Sequence, residues 1–273
     1  MPELPEVETC RAAIAPELTG RRIFRFEHGT KNLRFPWPDP AAVQQLYGCQ
    51  IQSVRRRAKY LILSSDHHHL LVHLGMSGQL FFARAETPWL KHEHWRLHAD
   101  GKVLCYRDPR RFGFFQLHVG ERAEAHPRLV HLGPDPLCES SFHTEYLASI
   151  CRGSRRPIKS LIMDGRVVVG VGNIYASEAL HRAGIHPFRQ AGAIATHRLD
   201  RLVDGIRSVL KAAIAAGGTT LKDFQNVEGN PGYFRQELAV YGRAGAVCRR
   251  CSGTIRQHTL SNRLFLDLEP RAV

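Results

Sequence analysis

The chain has 273 residues, 43% of them hydrophobic, and its 38 basic and 25 acidic side chains leave a net charge of +13. That length suggests about two domains with sizeable cores, and the basic surplus points to a polyanionic partner, with nucleic acid leading. No apolar run reaches about 18 residues and no basic-then-apolar leader is seen, which argues against a membrane span or a secretion signal and for a soluble intracellular protein.

Arginine supplies 31 of the basic residues, and it is the better side chain for bidentate phosphate contacts. The seven cysteines are mostly scattered, with only Cys248 and Cys251 forming a CxxC, so a secreted disulfide framework is not expected.

The amino end reads MPELPEVETC. Trimming of Met1, usual before a small residue, would leave Pro2 with a free secondary amine, a nucleophile made of backbone. The same residues also suit an ordinary helix start. Proline is pre-organised for the first turn, carboxylates complement the positive end of the helix dipole, and Leu4, Val7, Ala12, Ile14 and Ala15 supply an apolar stripe before Gly20.

From about residue 21 to 118 the chain reads as short strands: RRIFRF, QIQSVRRR, YLILSS, LLVHL, QLFFAR, WRLHA, KVLCY and FGFFQL. Asp100-Gly101 between two of them is a strong hairpin signal, and strands at this spacing favour a sandwich or barrel. HLGPDPLCESS, around 131–141, has the proline and glycine of a linker, and beyond it the apolar period changes from two to 3.6. Short helices are expected at about 143–150, 156–163 and 173–183. A long one should follow Thr196 as its cap and stop at Gly217-Gly218. GGTTLKDFQNVEGNPGYF then reads as a long loop, and the chain ends in a small β-hairpin module that contains CRRC.

Four stretches carry candidate chemistry. In VRRRAKYLIL, Lys59 stands among apolar neighbours beside three arginines in a strand region, where a solvated edge strand is the plain alternative. HLGMSGQL and YRDPRRFGFF place Met76, and Arg110 with Phe112, in turns flanked by strands. Apolar wedges beside arginines are what minor-groove binders insert between base steps, although such side chains are more often core. VVVGVGNIYASEAL sets Gly170, Gly172 and Asn173 before a helix, a weak anion-site signal that does not match a dinucleotide-binding fingerprint.

Taken together, PELPEVE, RRRAKYL, HLGMSG, DPRRFG, HLGPDPL, GVGNIYASEAL and GGTTLKDF…PGYFRQELAVYGR closely resemble, in order, the bacterial formamidopyrimidine-DNA glycosylases. The resemblance runs from Pro2 to about Cys251 and implies an α+β chain. An N-terminal β-sandwich domain over 1–130, carrying an N-terminal helix, is followed by a linker at 131–149. A helix-two-turn-helix DNA-binding domain over 150–237 includes a lesion-capping loop at 217–234, and a finger-like β-hairpin occupies 238–273. The implied activity is excision of oxidised purines, 8-oxoguanine and formamidopyrimidines, from double-stranded DNA opposite cytosine, followed by strand cleavage. The implied protein is a cytoplasmic, nucleoid-associated bacterial monomer.

In that resemblance Pro2 attacks C1′ of the damaged nucleotide, Glu3 moves protons, Glu6 holds the N-terminus, and Lys59 is the active-site lysine. His73, Lys159, Asn173 and Arg263 are implied DNA contacts. Met76, Arg110 and Phe112 fill the void left by the extruded nucleotide, with Arg110 facing the orphaned cytosine, and Thr219 and Thr220 touch the lesion. Catalysis needs no cofactor. The family's C-x2-C-x16-C-x2-C zinc finger is altered here, since Leu268 and Arg271 replace its last two cysteines. His258 and Asp267 could complete a nonstandard set, but Cys248 and Cys251 read as remnants of a hairpin that persists without metal through Ile255, Leu264, Phe265 and Leu266. Two other readings stand beside this one: an endonuclease VIII-like enzyme for oxidised pyrimidines, against which the PELPE start counts, and a catalytically silent DNA-binding paralogue, against which the retained N-terminal chemistry counts.

Overall fold

The computed structural model describes residues 2–218, 238–260 and 263–268, of which 259, 260 and 263–268 are described as backbone only. Among these, 2–131 with 216–218 form one compact unit, and 132–215 with 238–268 form a second.

The first unit opens with α1 (Leu4–Leu18) and continues through β1 (Ile23–His28), α2 (Pro40–Gln44), β2 (Ser53–Arg57), β3 (Tyr60–Ser65), β4 (His68–His73), β5 (Gln79–Ala83), β6 (Glu93–Ala99), β7 (Lys102–Arg107) and β8 (Phe114–Val119). The eight expected strands are all present, in two antiparallel four-stranded sheets of order β1-β6-β7-β5 and β2-β3-β4-β8. One face of each sheet turns inward, carrying Leu61, Leu63, Leu70 and Val72 from one and Trp95, Leu97 and Leu104 from the other, and the two faces share one core. Phe26 and Phe115 stack there at 4.4 Å between ring centroids, and Trp95 lies on Tyr106 at 5.4 Å. Asp100 and Gly101 join β6 to β7 with φ of 25° and 75°, the double positive φ that a two-residue hairpin demands.

Helix α1 lays Val7, Cys10, Ile14 and Leu18 into the same core and packs against β2 and β3. Arg56 fixes this docking by donating to Glu8 at 2.8 Å, while Glu8 also accepts from Arg11 at 2.7 Å. The short α2, capped by the Asp39 carboxylate accepting from the Ala41 N–H, was not foreseen from the sequence pattern.

The second unit holds α3 (Thr144–Cys151), α4 (Ile158–Ile162), α5 (Asn173–Ala183), α6 (Thr196–Ala215) and a hairpin of β9 (Ile255–Leu260) and β10 (Arg263–Leu268). Thr196, expected as a cap, is the first helical residue of α6, whose first amides donate to the Ala195 carbonyl. The stretch read as a linker is tied down within this unit. Gly133 N–H donates to Gly165 O, Val169 N–H donates to Pro134 O, and Arg207 donates to the carbonyls of Pro136 and Phe142. No helix among the described residues is long and apolar enough to cross a membrane.

Substitution should separate packing from backbone conformation. Trp95→Ala removes a fully buried ring and is expected to cost about 3–5 kcal/mol in denaturant unfolding. Gly101→Ala meets nothing within 4 Å of the new Cβ and should cost only the positive-φ strain, about 1–2 kcal/mol. Equal costs for the two would contradict this account.

Candidate active site and nucleic-acid interface

At the amino end, Pro2 is buried and Glu3 precedes the first turn of α1. The backbone N–H of Glu3 donates to Glu6 Oε2 at 2.8 Å, and the Glu3 carboxylate in return accepts the Glu6 N–H, a reciprocal capping box. Both carboxylates are 2% exposed. Gly218, at φ 85°, passes over Glu6 so closely that an added Cβ would stand 3.3 Å from its side chain. One turn further on, burial and then the Glu6 charge push the Cys10 thiol up to about 12. The helix-start reading of MPELPEVETC is therefore what these residues form.

Lys59 sits in the two-residue turn Ala58–Lys59 that joins β2 to β3, not within a strand, because Ala58 takes a φ of 55° and ends the ladder after the Arg57–Tyr60 pair. β2 is an edge strand, as its charges suit. Arg55 pairs with Glu124 at 3.1 Å and Arg56 with Glu8, so much of this basic cluster serves the fold.

His73 ends β4, stacked on Phe114 at 5.3 Å and 9°, with Tyr60 tilted against it. Its imidazole is pushed down to about 4, by burial first and then by the charges of Lys59, Arg34 and Arg128, which Asp108 only partly offsets. Gly75 N–H donates to His73 Nδ1 at 3.0 Å, so the single proton of the neutral ring is on Nε2. Arg34 and Arg128 did not stand out from the sequence. They lie outside the strands, and Arg128 is recognisable only from its position over the Phe35 ring at 3.9 Å and the Phe114 ring at 5.1 Å.

The two turns beyond His73 present exposed tips. Met76 is 37% and Phe112 44% exposed, and the Arg110 guanidinium lies 4.8 Å above the Phe112 ring. Core placement, the more common fate of such residues, is not what the fold gives them. A cavity of about 570 Å³ beside them is lined by Arg34, His73, Gly75, Met76, Arg111 and Phe112.

In the second unit, Asn173 begins α5 behind Gly172, and its buried Oδ1 has no hydrogen-bond partner among the described residues. Lys159 is fully buried. Its Nζ donates to Ser177 Oγ at 2.8 Å, and Ser177 in turn donates to the Asn173 carbonyl, so the ammonium supports the start of α5 from within. Glu178, which sequence reasoning missed, accepts the N–H groups of Ala239, Val240 and Tyr241 at 2.8, 2.9 and 2.8 Å.

Beyond that anchor, Cys248 is buried with Val240 and Ile255, with Tyr241 and Cys251 packed alongside, and His181 Nε2 lies 3.4 Å from Cys248 Sγ. Among the described residues no group of three or more histidine, cysteine or acidic side chains could hold a metal ion. The exposed His258 ring meets Phe188 edge-on at 5.7 Å, and the Asp267 side chain is not among those described. A tetrahedral structural zinc takes four ligands, and the side chains of 259–273, which could add to Cys248 and Cys251, lie outside the described residues. Thr219, Thr220 and most of the 217–234 loop lie outside the described residues, as do Arg271 and the side chains of Arg263, Leu264, Phe265, Leu266 and Leu268.

Comparison with known proteins gives this arrangement a family. Residues 1–115 match the formamidopyrimidine-DNA glycosylase N-terminal domain, and residues 132–225 match the formamidopyrimidine-DNA glycosylase H2TH domain. The formamidopyrimidine-DNA glycosylase of Shewanella loihica is 48% identical over 264 residues, and that of Stenotrophomonas maltophilia strain R551-3 is 47% identical; the match covers 96% of both chains in each case. Among solved structures, a Lactococcus lactis FPG mutant in complex with Fapy-dG containing DNA superposes with a TM-score of 0.89 at 30% identity over 98% of each chain. MutM in complex with carbocyclic 8-oxo-G containing DNA does so with 0.88 at 31%, also over 98% of each. Family models, sequence identity and superposition agree, and the chain belongs to the formamidopyrimidine-DNA glycosylase family of DNA repair enzymes.

Proposed function

We propose that this chain is a bifunctional glycosylase and apurinic-site lyase that removes 8-oxoguanine and formamidopyrimidines lying opposite cytosine in double-stranded DNA, acting as a monomer. The observation that carries this reading is the buried amino end, where the Glu6 carboxylate fixes the Glu3 amide next to Pro2 and the Glu3 carboxylate accepts the Glu6 N–H. Both carboxylates serve the capping box, and the same contacts would give chemistry at Pro2 a fixed nucleophile with a proton carrier next to it in the chain.

The step requires the Pro2 nitrogen to be free of Met1. An α-amino group titrates near pH 8, so a usable fraction is neutral at physiological pH. Its lone pair forms a bond to C1′ while the bond from C1′ to the damaged base breaks. The base leaves with that electron pair and takes up a proton from solvent, and the nitrogen gives up its own N–H proton to solvent so that its lone pair is free again. Glu3 then delivers a proton to the sugar-ring oxygen, and the C1′–O4′ bond opens to leave a positively charged iminium. That electron sink acidifies the C2′ proton. Loss of this proton expels the 3′ phosphate, and a second elimination expels the 5′ phosphate.

Base and sugar are reached only after the nucleotide leaves the stack. Met76, Arg110 and Phe112 would occupy the space it vacates, with Arg110 toward the orphaned cytosine. Neutral His73, with its proton on Nε2, would donate to a flanking phosphate, and the amide groups at the Asn173 end of α5 would hold another. The loop that begins at Gly217 would cap the lesion. The carboxy-terminal hairpin would keep its shape through the Val240, Cys248 and Ile255 cluster without zinc.

Borohydride added during turnover of an 8-oxoguanine:cytosine duplex should trap the chain on DNA as a stable amine. Pro2→Gly, or a form retaining Met1, should bind the duplex yet trap at least about tenfold less, in keeping with loss of a covalent step. No trapping on any lesion by the unaltered chain would overturn the enzyme reading, and trapping on oxidised pyrimidines alone would redirect it. Metal analysis of the purified protein should find less than stoichiometric zinc, and a full equivalent that is lost in Cys248→Ser would reverse the zinc-free reading.

His73 gives a pH prediction. Its folded value of about 4 lies below the ordinary 6.5, so between those values the unfolded chain binds a proton that the folded chain refuses. Stability contributed by this group is therefore lost as pH falls from 6.5 toward 4. The unfolding midpoint should drop further between pH 7.5 and 5 in the unaltered protein than in His73→Gln, at roughly 2–4 °C per kcal/mol for a chain of this size. Equal drops would refute the assignment.

A further inference from the structure

Four donors converge on one carboxylate at the base of the exposed tips. Asp108 is fully buried; its Oδ1 accepts from Ser77 Oγ at 2.5 Å and from the Arg110 N–H at 3.2 Å, and its Oδ2 accepts from the Gly113 N–H at 2.8 Å and from the Tyr106 hydroxyl at 3.1 Å. Ser77 follows Met76 in the first turn, while Arg110 and Gly113 bracket Phe112 in the second. Ser77 Oγ also accepts from the Arg110 N–H at 3.3 Å, and the Tyr106 hydroxyl also donates to the Leu74 carbonyl at 3.3 Å.

The backbones of the two turns touch. A Cβ on Gly75 would stand 2.3 Å from the Gly113 nitrogen, and one on Gly113 would stand 1.8 Å from the Tyr106 hydroxyl. No side chain could be added at this seam without parting the turns. A buried carboxylate is expensive unless its oxygens are satisfied, and here the donors that satisfy it come from both turns. Above the seam, Met76 and Phe112 remain in solvent, where flexible turns would let them fold back onto apolar surface.

We infer that Asp108 is a positioning residue that locks the Met76 turn and the Arg110–Phe112 turn into one rigid element, so that the three tips enter the duplex together. This rests on the function proposed above and goes beyond it, since Asp108 touches neither lesion nor sugar. The carboxylate is needed as such. Asparagine offers one acceptor oxygen and turns the other position into a donor, so whichever way the amide faces, it opposes either Ser77 and Arg110 or Gly113 and Tyr106.

The test compares a substrate that needs the tips with one that does not. Borohydride trapping and single-turnover excision are measured on an 8-oxoguanine:cytosine duplex, and trapping is measured on a single-stranded oligonucleotide bearing an abasic site, which has no stack to open. Asp108→Asn should lower the duplex rate at least tenfold and leave single-strand trapping within twofold. Ser77→Ala, which removes one cross-turn bond, should lower the duplex rate about threefold with single-strand trapping unchanged. Equal losses on both substrates, or no loss on the duplex, would overturn the inference. If Asp108→Asn unfolds early in a thermal melt, the Ser77→Ala comparison decides alone. Absence of trapping by the unaltered chain on either substrate would instead overturn the proposed function, and the positioning role with it.

Discussion

One hydrogen bond, from the Glu3 N–H to the Glu6 carboxylate at 2.8 Å, holds the amino end where its groups can act together. A side chain three residues into a helix reaches back to the cap only when the first turn is formed. That turn persists because Val7, Cys10, Ile14 and Leu18 are committed to the sandwich core. The position of Pro2 is thus a property of the whole first unit and not of a loose terminus. Gly218 resting on Glu6 extends the same dependence to the start of the glycine-rich loop.

The basic surplus is divided between holding the fold and meeting DNA. Arg56 with Glu8, Arg96 with Glu93 and Lys102 with Glu17 are intramolecular pairs, whereas Arg110 and Arg111 stand exposed beside the Met76 and Phe112 tips. His73 adds no charge to either group, because its depressed imidazole is neutral at neutral pH. A neutral donor can set the register of a phosphate without displacing a counterion, so it adds orientation while leaving the salt dependence to the arginines and lysines.

Much of this was legible because it is local. Eight strands announced themselves through short segments rich in β-branched and aromatic residues, Asp100-Gly101 marked its hairpin, and the apolar stripe from Leu199 to Ile214 marked α6. What escaped depends on residues distant in the chain. Lys59 was placed in a strand region because nothing local reveals that Ala58 turns to positive φ. Five-residue α2 is too short for a period to show. Return of residues 216–218 to the first unit is likewise invisible to a linear reading. Whether Met76 and Phe112 were core or tip turned on the close approach of Gly75 to Gly113, 38 positions apart in numbering, and on Asp108 accepting from both turns. Glu178 looked like one more helical carboxylate until the amides of 239–241 converged on it.

Cys10 lies one turn below Glu6, and its thiol, pushed up to about 12, is never appreciably a thiolate under cellular conditions. Thiolates react quickly with aldehydes, alkylating agents and peroxides, the same conditions that accompany oxidative injury to bases. Hydrophobic packing and the neighbouring Glu6 charge hold this sulfur in the thiol form, outside that reactivity.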